Sequence, residues 1–272
     1  MSQNIYDNPT FFASYNTLPR SQHGLPSAPE WPLLKSMVLV KQPDIKNARV
    51  LDLGCGYGWF CRWAAEEGLA AKVHGIDISE KMLERAREMT ATDTERETAT
   101  GIDSSLSLHL RINYVRADLE TVVLEKEGYD VVYSSLTFHY VSDLARLLNT
   151  VYAALKRNGR FVFSVEHPIY TAPKEDKWHG DGTNDDGNDG LQSWLLNGYG
   201  DEGERNRNWL GDDVRKYHRT TQTYLTLLLR AGFVLREFVE WMPSDKDLEE
   251  HPEWAVERNR PAFLLIAVEK SV

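Results

Sequence analysis

The chain is poor in cysteine, in long apolar runs and in basic charge, and each shortage removes a class of protein. Its 272 residues contain 2 cysteines, Cys55 and Cys61. They flank little more than one turn of chain, build neither a disulfide framework nor a zinc-like cluster, and read as small buried side chains of a reducing compartment. No apolar stretch approaches the ~20 residues that span a bilayer, and Met1 to Phe12 lacks a basic region followed by an apolar one. A soluble, unsecreted, cytoplasmic protein with no membrane partner is therefore expected. The formal charge of -10 argues against a nucleic-acid surface and for a small-molecule partner. No internal repeat is visible, and composition leaves the oligomeric state open.

With 42% hydrophobic residues the chain can bury a core, and its length suits one large α/β domain over residues 1–272. From Arg49 onward short aliphatic runs alternate with longer amphipathic ones, the pattern of βαβ units and a mostly parallel sheet. Strands are expected at Arg49–Leu53, Lys72–Ile76, Ile112–Val115, Val131–Tyr133, Arg160–Val165, Phe233–Glu240 and Phe263–Glu269. Helices are expected at Trp59–Glu67, at Glu80–Glu88 behind a Ser79 cap, at Asp143–Leu155, and at Thr221–Arg230 closed by Gly232.

Three segments stand outside this alternation. Tyr6 to Val40 is rich in aromatics and proline and reads as a helical arm covering something apolar, so residues 1–45 form a cap on a core at 46–165. Thr90 to Ser107 is polar, Thr-rich and aperiodic, and reads as a flexible surface insertion. Tyr170 to Arg215 reads as a lid, within a substrate insertion at 166–217 that precedes a closing helix and strands at 218–272. Its Gly/Asp stretch from His179 to Gly190 also admits a disordered insertion.

The motif that decides the class begins in Val50-Leu51-Asp52-Leu53, runs into Gly54-Cys55-Gly56-Tyr57-Gly58, and opens the helix at Trp59. Alternate glycines let the backbone turn sharply and approach a ligand, with free N–H groups of a helix start behind them. A dinucleotide fingerprint would carry a third glycine where Trp59 stands, so the match is to Asp-x-Gly-x-Gly-x-Gly. About twenty residues on, Asp77 ends the second strand where a carboxylate accepts from both ribose hydroxyls. Asp118 follows the third strand, within reach of an adenine amino group, although alone it reads equally as a helix cap. The fourth strand ends in Ser134 at the same edge.

This ordered set resembles the class I S-adenosylmethionine-dependent methyltransferases over roughly Arg49 to Val165, with the closing strands also matching. The resemblance implies a Rossmann-like sheet of seven strands, the last antiparallel, with helices on both faces. It implies S-adenosylmethionine as cofactor and S-adenosylhomocysteine as product. Asp52, Gly54, Cys55 and Gly56 would line the methionyl part, Asp77 with Ile78 the ribose, and Asp118 with Leu119 the adenine. Asp7-Asn8-Pro9, Arg20 to Leu25 and Glu30-Trp31-Pro32 resemble a small-molecule subgroup of that class. The Thr-rich insertion and large lid resemble fungal secondary-metabolite members, which would imply O-methylation of an N-hydroxyl on an indole alkaloid.

A hydroxyl acceptor benefits from a base, and histidine is the natural one. His139 follows the fourth strand, His167 the fifth, and His218 opens a helix after the lid; Glu166 stands beside His167 to orient it or to bind an acceptor N–H. Each histidine also reads as a loop or capping residue. Arg20 is a candidate partner for the cofactor carboxylate or else a surface arginine, and Tyr15 packs on the cofactor or in the core. Lid aromatics, Trp178, Trp194, Tyr199 and Trp209 with Trp241 after them, suggest a flat apolar acceptor or the lid's own small core. The methyl transfer requires no metal in principle. Rival readings are an N-methyltransferase, a cofactor-binding protein without catalysis, a protein methyltransferase, and an NAD-dependent dehydrogenase, which the missing glycine disfavours.

Overall fold

The computed structural model describes residues 2–40, 42, 44–99, 107–174, 178–179 and 193–271. The arm folds as three short helices, α1 (Pro9–Tyr15), α2 (Pro19–His23) and α3 (Trp31–Leu39), each with a proline in its first turn. A proline there forfeits nothing, because its missing N–H would have had no intrahelical acceptor.

Strands β1 (Arg49–Leu53), β2 (Lys72–Asp77), β3 (Ile112–Arg116), β4 (Tyr129–Ser135) and β5 (Leu155–Glu166) follow. Two separate antiparallel pairings follow, β6 (Trp178–His179) with β7 (Ser193–Trp194) and β8 (Gly203–Arg207) with β9 (Val214–His218). β10 (Val234–Glu240) and β11 (Phe263–Glu269) close the chain. The main sheet has 7 strands in the order β10-β11-β5-β4-β1-β2-β3. β1 to β5 run parallel, while β11 lies antiparallel to both its neighbours.

Helices α4 (Trp59–Glu66), α5 (Glu80–Ala99), α6 (Leu108–Arg111), α7 (Leu144–Ala154), α8 (Pro168–Thr171), α9 (Thr221–Ala231) and α10 (Asp245–Glu250) complete the fold. Side chains alternate along a strand, so Leu51 and Leu53 enter one core with α7 and α9, while Val50 enters the other with α3 and α4. Asp52 shares the face of Val50, which is why it is buried although ionisable.

Two expectations change. The segment from Thr90 is helical as far as Ala99, not an irregular insertion. The hydroxyls of Thr90, Thr92 and Thr94 donate to carbonyls four residues back at 2.8–3.1 Å, and Asp93 pairs with Arg62 of α4 at 3.0 Å. Threonine is only mildly unfavourable in a helix, and these local bonds keep its hydroxyl satisfied. Residues 100–106 lie outside the described residues, as do 180–192 of the Gly/Asp stretch. The second change is the β8–β9 hairpin, where no regular structure was expected; Arg205 and Arg207 fasten it to the carbonyls of Ala172 and Thr171 at 3.3 and 3.0 Å.

Candidate active site

At the carboxyl edge of the sheet lies a cavity of about 550 Å³. Its floor is the turn after β1. Gly54 N and Cys55 N both donate to Ile76 O, at 2.7 and 3.0 Å, which pins the turn to the end of β2. Two glycines show why the sequence needs them. Gly54 has φ of 75°, and a Cβ there would lie 2.2 Å from the Thr137 hydroxyl; Gly56 has φ of 52° and only open space where a Cβ would be. Gly54 is thus a packing requirement, and Gly56 leaves room over the floor.

Asp77 braces this turn. Its Oδ2 accepts from Gly56 N and its Oδ1 from Ser79 N, both at 2.9 Å. Burial pushes its pKa up against those two backbone bonds. A carboxylate has roughly four lone-pair sites, so two backbone donors leave capacity for two ligand hydroxyls. Asp52 lies deeper, accepts from Cys61 Sγ at 3.3 Å, and is pushed up by burial to about 7. Cys55 and Ile78 line the cavity, the former with a thiol that burial drives well up.

Asp118 and Leu119 line the same cavity beyond β3. Asp118 Oδ1 accepts from Glu120 N at 2.9 Å and from Ser2 Oγ at 2.7 Å, so the carboxylate both caps a turn and holds the arm. The arm continues along this edge: Asp7 Oδ1 accepts from Ser79 Oγ and Lys81 N at 2.6 and 3.2 Å, and Tyr6 Oη meets Tyr140 Oη at 3.2 Å. Tyr15 packs edge-on against Tyr6 and Tyr57 at 5.4 and 5.7 Å. Arg20 reaches the cavity, where its Nη2 bonds Glu30 Oε1 at 2.6 Å; it is no surface arginine.

The residues offered as bases separate sharply. His139 lines the cavity; its Nδ1 accepts from Glu166 N at 3.4 Å, and Nε2 faces Glu166 Oε1 at 4.0 Å. Burial drives its pKa down to about 4, outweighing the attraction of Glu166, so the ring is neutral and weakly basic. Burial would raise Glu166, but His139 and Lys216 outweigh it and hold the carboxyl below its ordinary value. Lys216 Nζ reaches Glu166 Oε1 at 2.5 Å, while Glu166 Oε2 is buried without a hydrogen-bond partner.

The cavity lining among the described residues does not include His167, His218 or Ser134. His167 Nδ1 caps α8 by accepting from Ile169 N at 3.1 Å, and its Nε2 meets Glu240 at 2.9 Å. His218 ends β9 instead of opening a helix, held by Thr171 Oγ1 at 2.8 Å and Tyr199 O at 3.0 Å. Ser134 turns its hydroxyl onto Leu53 O at 2.7 Å. All three are fixed by neighbours and turned away from the cavity.

Sequence reasoning missed Lys216 altogether, since Val-Arg-Lys-Tyr-His at 214–218 carries no apolar alternation. In Val214–His218 burial alternates, with Val214, Lys216 and His218 inward; a lysine on the inward face of a strand demands an anion, and Glu166 is that anion.

The residues present are a fit for S-adenosylmethionine. Open space lies over Gly56, Asp77 stands braced beside it, and Trp59 Nε1 and Glu30 Oε2 are buried along the wall without partners. Comparison with known proteins reaches the same cofactor. Residues 51–163 match the family model of a methyltransferase domain. The solved structure of an S-adenosylmethionine-dependent methyltransferase from Mesorhizobium loti is 43% identical, covers 90% of this chain and 100% of its own, and has a TM-score of 0.75. A Haemophilus influenzae protein described only as uncharacterized is 35% identical over 270 residues, 98% of this chain and 96% of its own length. A malonyl-[acyl-carrier protein] O-methyltransferase from Halalkalibacterium halodurans is 27% identical over 133 residues, and the match spans only 43% of that enzyme. Glycine turn, braced acid and near full-length likeness converge: the chain belongs to the S-adenosylmethionine-dependent methyltransferases.

Proposed function

We propose that the chain methylates an acidic hydroxyl, phenolic or N-hydroxyl, on a small aromatic acceptor that Glu166 holds. The observation that carries this is Glu166 Oε2, a buried carboxylate oxygen on the cavity wall with no partner of its own. Such an atom is costly unless a ligand donates to it.

S-adenosylmethionine, when bound, supplies an electrophilic methyl on a sulfonium. The chain's part is then to orient a nucleophile and exclude water. Glu166 accepts the acceptor's O–H and aims its lone pairs, while Lys216 from the lid hairpin fixes the carboxylate. His139 contributes shape and an N–H, since a ring with a pKa of about 4 takes few protons near neutrality. Two weak bases favour an acceptor whose hydroxyl ionises readily over an aliphatic alcohol. Tyr6, Tyr140, Tyr170 and Trp209 line the same space and suit a flat ring. The resemblance to fungal secondary-metabolite enzymes narrows that ring to an N-hydroxyindole, the most specific form of the reading.

The test is S-adenosylhomocysteine release with phenols, N-hydroxyindoles, aliphatic alcohols and amines in turn. Turnover should favour the first two, and Glu166→Gln should lower kcat roughly 10- to 100-fold while cofactor affinity stays within about 2-fold. Methylation of amines alone would replace this reading with N-methylation.

A further inference from the structure

Glu30, the partner of Arg20, is the most fully enclosed carboxylate on the cavity wall among the described residues. Its side chain has 0% exposure. Oε1 takes Arg20 Nη2 at 2.6 Å; Oε2 is buried and accepts from nothing. It stands at the head of α3, whose Trp31 packs edge-on against Tyr133 of β4 at 6.4 Å. Tyr133 in turn lies within electrostatic reach of Asp52, Glu30 and Arg20. The Arg20–Glu30 pair therefore sits on the β1–β4 side of the cavity, two strands from the Asp118 end.

A second unsatisfied group lies on the same wall. Trp59 Nε1 is buried without an acceptor, and the chain is built closely around that ring. Gly24, at φ of 70°, presses on it so tightly that a Cβ would lie 2.5 Å from the indole. One wall thus offers a carboxylate oxygen seeking a donor, an indole N–H seeking an acceptor, and a guanidinium with further N–H groups beyond the one given to Glu30. An uncharged or singly charged group would satisfy only part of this set. A zwitterion with adjacent ammonium and carboxylate satisfies all of it.

We propose that Arg20, Trp59 and Glu30 clamp the amino-acid end of the cofactor, Glu30 Oε2 accepting from the α-ammonium while Arg20 and Trp59 Nε1 donate to the α-carboxylate. This rests on the cofactor reading above and adds a specificity to it. The chain selects S-adenosylmethionine and S-adenosylhomocysteine over adenosine thioethers that lack the amino acid. Asp52 is the other acid nearby, but it already accepts from Cys61.

The experiment is calorimetry on the full chain with three ligands: S-adenosylhomocysteine, its decarboxylated analogue S-adenosyl-3-thiopropylamine, and 5′-methylthioadenosine. Wild type should bind them in that order of decreasing affinity. Glu30→Gln should weaken the first two roughly 10- to 100-fold and leave methylthioadenosine within about 2-fold, which also shows that the variant is folded. Arg20→Met and Trp59→Phe should weaken S-adenosylhomocysteine about 10-fold without weakening the thiopropylamine. Equal loss for all three ligands in Glu30→Gln, or no loss for any, would overturn the clamp. Wild type that bound none of the three would overturn the cofactor reading beneath it, a result distinct from the first two.

Discussion

The cavity has two halves built by different means. Over β1 and β2, the side chains that matter are braced by backbone: Asp77 takes two N–H groups, and the turn it supports takes its own bonds from the end of β2. Over β4 and β5, side chains are braced by side chains from distant segments: Lys216 on Glu166, Glu166 beside His139, Tyr6 against Tyr140. A half fixed by backbone tolerates changes elsewhere in the chain. A half fixed by long side chains from a hairpin and an arm is open to respecialisation, which accords with one cofactor and many acceptors on this fold.

The largest expected effect is on the backbone-braced half. Asp77→Ala removes the anchor for Gly56 N and Ser79 N and, on the role we propose for Asp77, the acceptor for two ribose hydroxyls. Hydrogen bonds to a charged group are each worth about 1.5–3 kcal/mol, so S-adenosylhomocysteine affinity should fall roughly 100- to 1000-fold. Calorimetry showing less than a 3-fold change would break the assignment of roles between the halves.

Next comes a pH effect carried by His139 in the side-chain-braced half. His139 has a folded pKa of about 4 against about 6.5 for an ordinary histidine, because burial disfavours its cation, with Lys216 and Arg219 adding to this and Glu166 opposing. The folded state therefore binds fewer protons than the unfolded one between those values. Stability from this group is complete above about pH 6.5 and declines as pH falls toward 4, by on the order of 3 kcal/mol. The unfolding free energies of wild type and His139→Asn should converge across that window. A gap that stayed constant with pH would show that the ring titrates alike in the folded and unfolded chain.

The arm joins the halves, and its removal tests whether they are separable. Residues 2–17 contribute Ser2 to Asp118, Asp7 to the head of α5, Tyr6 to Tyr140 and Asn16 to Tyr57. Their deletion should weaken S-adenosylhomocysteine about 10-fold, roughly the worth of one lost net contact, while leaving Arg20 and Glu30 in the chain. Unchanged affinity would mean that the arm covers only the acceptor half.

The same division explains what the sequence disclosed. The strand, glycine turn and helix from Val50 to Trp59 are contiguous, and Asp77 follows at one βαβ repeat, so local pattern was enough to place them. The strand segments followed from the same alternation and the resemblance implied one seven-stranded sheet of them, with changes at strand ends and one long correction in α5. Lys216 and Glu166 are 50 residues apart, and no local periodicity announces such a pair. Position alone also misled at the fifth strand. Glu166 and His167 are neighbours at the end of β5, and adjacent extended residues point to opposite sides, so only one of them could face the cavity. Chemistry favoured the histidine, while the pleat gave the place to the glutamate.

That adjacency yields the smallest effect and the sharpest contrast. His167→Ala removes the acceptor that caps α8 and the partner of Glu240, and the lost cap should cost about 1 kcal/mol of stability. Turnover should stay within about 2-fold of wild type, because a capping side chain off the cavity makes no contact that strengthens in the transition state. Glu166→Gln, one residue earlier, should lower kcat as well as the melting temperature, since the amide still accepts from Lys216 but leaves that buried ammonium without its anion. Steady-state kinetics and thermal melts on the two variants side by side read both quantities. If both lost turnover alike, the pleat would not be what divides them, and His167 would have to reach the acceptor by a rearrangement of α8.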